Sequence, residues 1–172
     1  MSCFKISPLI PCVALLAGCV STYKQETVAS PQSKLSVGGS VLIATPHDSA
    51  YGDENYPGSG AATASAVQAA FAHYTSTTET SGSCADIDCL RSAQKAYDVY
   101  VVPQILHWED RATEWSGKKD KIEIKITVFS ADGTVLASNI ISGKSKWATF
   151  GGDHPQDLLP EPLGKYVQSL YQ

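Results

Sequence analysis

Apolar and polar residues alternate most clearly in the second half of the chain. Between residues 121 and 130 every second residue is isoleucine or valine, which predicts a strand with one buried and one exposed face. Asp132-Gly133 has the composition of a hairpin turn, and residues 134–146 predict the partner strand. An earlier β-branched run at residues 99–106 predicts a central strand. Because Pro103 has no N–H to donate, we expect an edge or a bulge there.

Three other segments repeat apolar residues at helical spacing. One predicted helix runs to about Thr75 and could be capped by Ser59 or by Thr63, and a short helix begins at Asp86 or Asp88. The third helix is C-terminal. The inward residues of these helices are expected to be Ala66, Val67, Ala70, Phe71 and Tyr74, then Ile87, Leu90, Ala93 and Tyr97, and finally Leu163, Tyr166, Val167 and Leu170.

The predicted elements describe one domain over residues 39–172. A buried strand at residues 41–44 and a weak strand at residues 77–81 complete the order β-α-β-α-β-β-β-α, with a long Gly- and Pro-rich loop at residues 45–60. Such an order predicts a mixed sheet of about four to five strands with helices packed on it, an α+β or α/β fold. Residues 19–38 are polar without an apolar period, which predicts a flexible tether.

Composition and charge exclude two broad classes of protein. The chain has 172 residues, of which 43% are hydrophobic and 17% are charged, and this is too apolar for a disordered protein. The formal net charge is −4. A protein that binds nucleic acid normally carries a basic excess, so no nucleic-acid partner is expected.

The N-terminus has the pattern of a bacterial export signal. Lys5 precedes a short apolar stretch, and Leu16-Ala17-Gly18-Cys19 follows, which predicts a signal peptide at residues 1–18. The stretch is shorter than the ~20 residues of a membrane-spanning helix. Leu16 to Cys19 resembles a lipobox, which implies acyl chains on Cys19 and attachment to the membrane through lipid; Val20 then implies the outer membrane. An ordinary cleaved secretory signal is the alternative.

Cleavage and acylation would leave Cys84 and Cys89 as the remaining cysteines. In an oxidising periplasm such a pair favours one disulfide that closes a small loop. Two unpaired thiols, or a catalytic pair, are the alternatives. A redox pair would more often have C-x-x-C spacing, and no nearby His or Cys would complete a metal site.

The chemistry-bearing residues concentrate in a segment that begins at His107. In an extended chain His107, Glu109 and Arg111 would share one face, and Trp108 and Asp110 the other. A His, a carboxylate and an Arg in one row could bind an anion or act in general acid–base catalysis. The structural alternative is a set of cross-strand ion pairs with tryptophans covering the sheet. Because nothing here has the spacing of a helical zinc site, no metal and no cofactor is expected.

Three segments together resemble a known family. They are residues 48–60, the sequence H-W-E-D-R-A-T-E-W-S-G-K at 107–118, and residues 147–160, which contain A-T-F-G-G-D-H-P-Q-D-L-L-P. Across about residues 40–171 the chain resembles a family of small Gram-negative lipoproteins whose domain has no known function. The resemblance implies a periplasm-facing lipoprotein but supplies no activity and no site residue.

The three segments are expected to meet in the folded domain, and two hypotheses follow. The first is a non-catalytic lipoprotein that binds an envelope protein or glycan. Its candidate surface comprises Tyr51, Tyr56, His107, Trp108, Glu109, Arg111, Trp115, Trp147, Asp153 and His154, since aromatic residues are frequent anchors at such surfaces. The second is an envelope hydrolase that uses His107, Glu109 and Asp110 with His154. A cleft with a titrating carboxylate would favour the second hypothesis, and a flat aromatic patch without an enclosed pocket would favour the first.

Overall fold

The fold was analysed in a computed structural model, which describes residues 21–111, 118–146 and 154–172. The strands are β1 (Thr22–Ala29), β2 (Ser40–Ala44), β3 (Ser49–Tyr51), β4 (Glu54–Tyr56), β5 (Thr77–Ser81), β6 (Val99–Glu109), β7 (Lys121–Ser130) and β8 (Val135–Lys144). The helices are α1 (Ser59–Ala72), α2 (Ile87–Arg91) and α3 (Pro160–Tyr171), and a 3₁₀ turn at Pro155–Leu158 precedes α3. No helix within these ranges has the length and apolarity to cross a membrane.

Six of the strands form one mixed sheet. Its order is β1-β8-β7-β6-β2-β5, with β2 parallel to both β5 and β6 and the other pairs antiparallel. The expectation of a mixed α+β sheet is confirmed, including the weak strand at residues 77–81. The number of strands is larger than expected because β1 adds an edge to the sheet.

The sheet has two faces that are covered differently. On the inner face, α1 and α3 pack over the isoleucines of β7, and Ile124 and Ile126 have no exposed surface. On the outer face, α2 covers only the region around Leu42 and Tyr100, so much of β7, β8 and β1 is left half-buried or exposed there. The predicted alternation of β7 is therefore confirmed, and so is the inward face of α3.

Part of the segment predicted to be a flexible tether is a strand. Thr22–Ala29 forms β1 and pairs antiparallel with β8, from Thr22 opposite Lys144 to Ala29 opposite Ser138. The prediction is wrong for these residues, because their pairing is made by the backbone and their side chains are mostly exposed. One inward side chain, Gln25, donates a hydrogen bond from Nε2 to the carbonyl oxygen of Pro162 at 3.0 Å.

The segment predicted to be a long loop contains the β3–β4 hairpin, and its Asp48 caps the start of α1. Neither Ser59 nor Thr63 caps the helix. Instead Asp48 accepts hydrogen bonds from the N–H groups of Gly58 at 3.0 Å and Gly60 at 2.8 Å, and these bonds lower its pKa. Residue 60 must be glycine for Asp48 to cap the helix in this way, because a Cβ there would lie 2.1 Å from the carbonyl oxygen of Pro46.

Two local expectations are confirmed on the outer face. Cys84 and Cys89 form a disulfide across a Cα–Cα distance of 5.4 Å, and Asp86 caps α2 by accepting from the N–H of Cys89 at 2.9 Å. Pro103 lies beyond the last residue of β6 that pairs with β2, so β6 is an edge there. A bulge follows at Leu106.

Candidate functional site

The bulge at Leu106 decides which side chains of β6 face outward. Ile105 packs on the inner face, and the extra residue shifts the alternation so that Trp108 also points inward. His107 and Glu109 then lie on the outer face, as the sequence predicts. The β3–β4 hairpin crosses this end of β6, where the ring of Tyr51 meets the ring of His107 edge to face at 4.7 Å.

A buried carboxylate lies at the centre of this region. Glu109 is only 1% exposed. Its Oε2 lies 2.7 Å from Arg111 Nε and 3.5 Å from Lys121 Nζ, and its Oε1 lies 3.2 Å from His107 Nε2. The hydrogen bond from Arg111, together with the charges of Lys121, Arg111 and His107, outweighs burial and lowers the pKa of Glu109 to about 2. Glu109 is therefore ionised at neutral pH and is poorly suited to exchange a proton.

A second His–carboxylate pair follows the end of β6. Asp110 Oδ2 lies 3.4 Å from His154 Nδ1. Nearby, Asp120 is fully buried. Its Oδ1 accepts a 2.7 Å hydrogen bond from the N–H of Arg111, and its Oδ2 has no hydrogen-bond partner among the described residues. Burial is the main cause of a raised pKa for Asp120. Sequence analysis missed Asp120, because an aspartate after two lysines is typical of an exposed turn.

Described parts of the three segments meet at a shallow cleft. Its volume is about 370 Å³, and it is lined by residues that include Tyr56, Ser59, Trp108, Asp110 and Gln156. Residues from 48–60, 107–118 and 147–160 thus contribute to one region. Lys121, which completes the cation set around Glu109, comes from outside all three segments. It could have been found only from the register that pairs it with Glu109.

Two of the predicted contact residues are structural. Trp108 is 3% exposed and belongs to the inner-face core, and Glu109 is covered by its cations, so the prediction that they contact a partner is wrong. Tyr51 remains 47% exposed. The side chains of His107 and Arg111 are 29% and 28% exposed. Those of Tyr56 and His154 are also partly or largely exposed. The predictions for Cys19, Trp115, Trp147 and Asp153 lie outside the described residues.

The grouping required for the hydrolase hypothesis is not formed. His107 pairs with Glu109 on the outer face, whereas Asp110 pairs with His154 beside the cleft. Within residues 21–111, 118–146 and 154–172, no three His, Cys, Asp or Glu side chains are grouped to hold a metal ion. The start of α1 is also a poor anion site, because the Asp48 carboxylate already occupies its N–H groups.

Several solved structures share the fold. A PelC dodecamer from Paraburkholderia phytofirmans is 13% identical with a TM-score of 0.62, and the match covers 89% of this chain and 99% of that one. A variant of this PelC is 12% identical with a TM-score of 0.57, covering 84% and 95%. Protein XCC0632 from Xanthomonas campestris, described as a DUF330 family protein, is 14% identical with a TM-score of 0.52, covering 83% and 90%.

Sequence comparison gives a more direct relationship. None of the curated proteins matches the chain. A family model described as a domain of unknown function, DUF4823, matches residues 33–170. This range includes the β3–β4 hairpin, the end of β6 and the residues around the cleft. The chain belongs to the DUF4823 family.

Proposed function

We propose that this protein is a periplasm-facing lipoprotein of the outer membrane that binds another envelope component without catalysing a reaction. The anchor would be the acyl chains on Cys19, as the lipobox-like residues before it imply. The likeness to PelC concerns the fold alone. The DUF4823 family supplies no activity that would argue for an enzyme.

The binding surface in this proposal is the outer-face end of β6, which we call the donor platform: Tyr51, His107 and Arg111. The observation that carries the proposal is the environment of Glu109. Its buried charge is held by His107, Arg111 and Lys121, and these three side chains are themselves 29%, 28% and 42% exposed. A carboxylate used in this way positions hydrogen-bond donors and does not exchange protons. Such a surface suits a partner with carboxylate or hydroxyl groups, as in an acidic protein segment or a glycan.

Site-specific photocrosslinking in intact cells tests the donor platform. A photoreactive phenylalanine analogue at Tyr51 is compared with the same analogue at Val135, because these side chains are equally exposed at 47% and 49%. We expect a discrete crosslinked product at Tyr51, absent at Val135 and weakened by Arg111→Gln. Equal products at both positions, or a product that Arg111→Gln leaves unchanged, would refute binding at this surface.

The anchor is tested separately by mass spectrometry of the protein extracted from membranes. We expect the N-terminal peptide to begin at Cys19 and to carry acyl chains, and Cys19→Ala to abolish membrane attachment. An unmodified peptide from membrane-extracted protein would exclude the lipoprotein proposal and leave the donor platform to be judged on its own.

A further inference from the structure

Lysine side chains are concentrated at the end of the sheet where β1 begins. Thr22 pairs with Lys144, and Lys144 pairs with Lys121 on its other side. Lys24 follows two residues along β1 and therefore shares a face with Thr22. We call this group the basic edge, which comprises Lys24, Lys119, Lys121, Lys144 and Lys146.

The basic edge is unfavourable for the isolated domain. Lys121 and Lys144 lie directly opposite each other on neighbouring strands, where like charges destabilise a sheet. Lys121 Nζ is 3.5 Å from Glu109, and Lys24 Nζ is 3.4 Å from Glu26. Among the described residues Lys144 has no ion-pair partner within 4.0 Å. Packing therefore does not explain why lysine occupies these strand ends.

The charge is also unevenly distributed over the chain. The protein has a formal net charge of −4, yet five lysines lie at or just beyond this end of three adjacent strands, against the carboxylates of Glu26, Glu109 and Glu123 on the same face. The remainder of the chain is correspondingly more acidic. An anionic surface would therefore attract the basic edge and repel the remainder, which would orient the domain.

We infer that the basic edge lies against the anionic phospholipid headgroups of the membrane to which the protein is anchored. The inference rests on the proposed acylation of Cys19. Cys19 precedes Thr22 by three residues, which reach at most ~10 Å when extended. An acyl anchor at Cys19 thus holds Thr22 and its neighbour Lys144 close to the headgroups, where attraction acts within a Debye length of ~8 Å.

Vesicle binding by a chain without acyl groups tests this surface independently of the anchor. The mature chain, residues 19–172 with Cys19→Ser, is sedimented with phosphatidylcholine vesicles with and without phosphatidylglycerol. We expect binding only when phosphatidylglycerol is present, and a decrease in binding with added salt. Each lysine near an anionic surface contributes about fivefold to binding, so the double variant Lys24→Gln/Lys144→Gln should bind roughly 25-fold more weakly.

The matched control is Lys125→Gln/Lys165→Gln, which removes the same charge from positions outside the basic edge. We expect this control to bind phosphatidylglycerol vesicles like the parent chain, and neither double variant to unfold at a lower urea concentration than the parent. Equal losses in the two double variants, or binding that does not require phosphatidylglycerol, would overturn the inference. An unacylated Cys19 in cells would instead overturn the proposed anchor, which is a separate result.

Discussion

The contribution of Glu109 to stability can be estimated from the structure and measured directly. The pKa of Glu109 is lowered from 4.5 to about 2 by Arg111, Lys121 and His107. Because one pKa unit corresponds to about 1.4 kcal/mol, this lowering corresponds to about 3 kcal/mol of folding free energy. Glu109→Gln removes the charge and leaves three donors around a neutral amide. We therefore expect urea unfolding at pH 7 to show a loss of about 3 kcal/mol.

The pH dependence of this loss distinguishes charge pairing from packing. Since the folded pKa of Glu109 lies below its unfolded value, its stabilisation is complete above pH 4.5 and disappears as the pH falls toward 2. The difference in unfolding free energy between the parent and Glu109→Gln should therefore decrease as the pH falls over the same interval. Glu123→Gln is the control, because Glu123 is on the same face and, among the described residues, accepts a hydrogen bond only from Ser142 Oγ. A difference in unfolding free energy between the parent and Glu109→Gln below about 1 kcal/mol at pH 7, or one that persists near pH 2, would refute the reasoning.

Three further changes test other parts of the structure. Trp108→Ala should destabilise the domain by about 3–5 kcal/mol in denaturant unfolding, because Trp108 is buried in the inner-face core; a change below about 1 kcal/mol would contradict its burial. Replacing Cys84 and Cys89 by serine should cost about 2 kcal/mol, and an unchanged thermal midpoint would show that the disulfide contributes little. Asp120→Asn should raise stability at pH 7 but not at pH 3, because the raised pKa makes the charged form of Asp120 unfavourable in the fold; lower stability at pH 7 would show that its charge is needed.

The elements that the sequence predicts correctly are those with one buried face and one more exposed face. In β7, Ile122 and Ile124 are buried while Glu123 and Lys125 are half-buried on the opposite face, so the alternation is visible in the sequence. The same holds for α3, whose apolar residues all face the core. Burial imposes a period on the sequence, and the period identifies the element.

Strand β1, which the sequence does not predict, has no comparable separation into a buried face and an exposed face. In β1 even the inward positions are Tyr23, Gln25 and Thr27, and the strand is held by backbone pairing and by contacts with distant residues such as Pro162. Similarly, the β3–β4 hairpin has only three residues in each strand. Backbone pairing of short or polar segments leaves little compositional trace, so these elements become evident only in the folded chain.

The candidate site was predicted only in part. Alternation placed His107, Glu109 and Arg111 on one face, which is confirmed. It could not reveal that Glu109 is buried, because burial depends on Lys121 from β7 and on the crossing hairpin. The role of Trp108 was wrong for a related reason. A tryptophan flanked by charged residues resembles a surface anchor in the sequence, whereas the bulge at Leu106 turns it into the core.

The position of β1 has a mechanical consequence. Thr22, the first residue of β1, pairs with Lys144, the last residue of β8. A pull on the preceding residues along the axis of β1 therefore acts in shear, so that the hydrogen bonds between the two strands share the load. A pull across the sheet would instead separate the same bonds one after another, beginning at Thr22. The domain should accordingly resist force applied along β1 far better than force directed sideways.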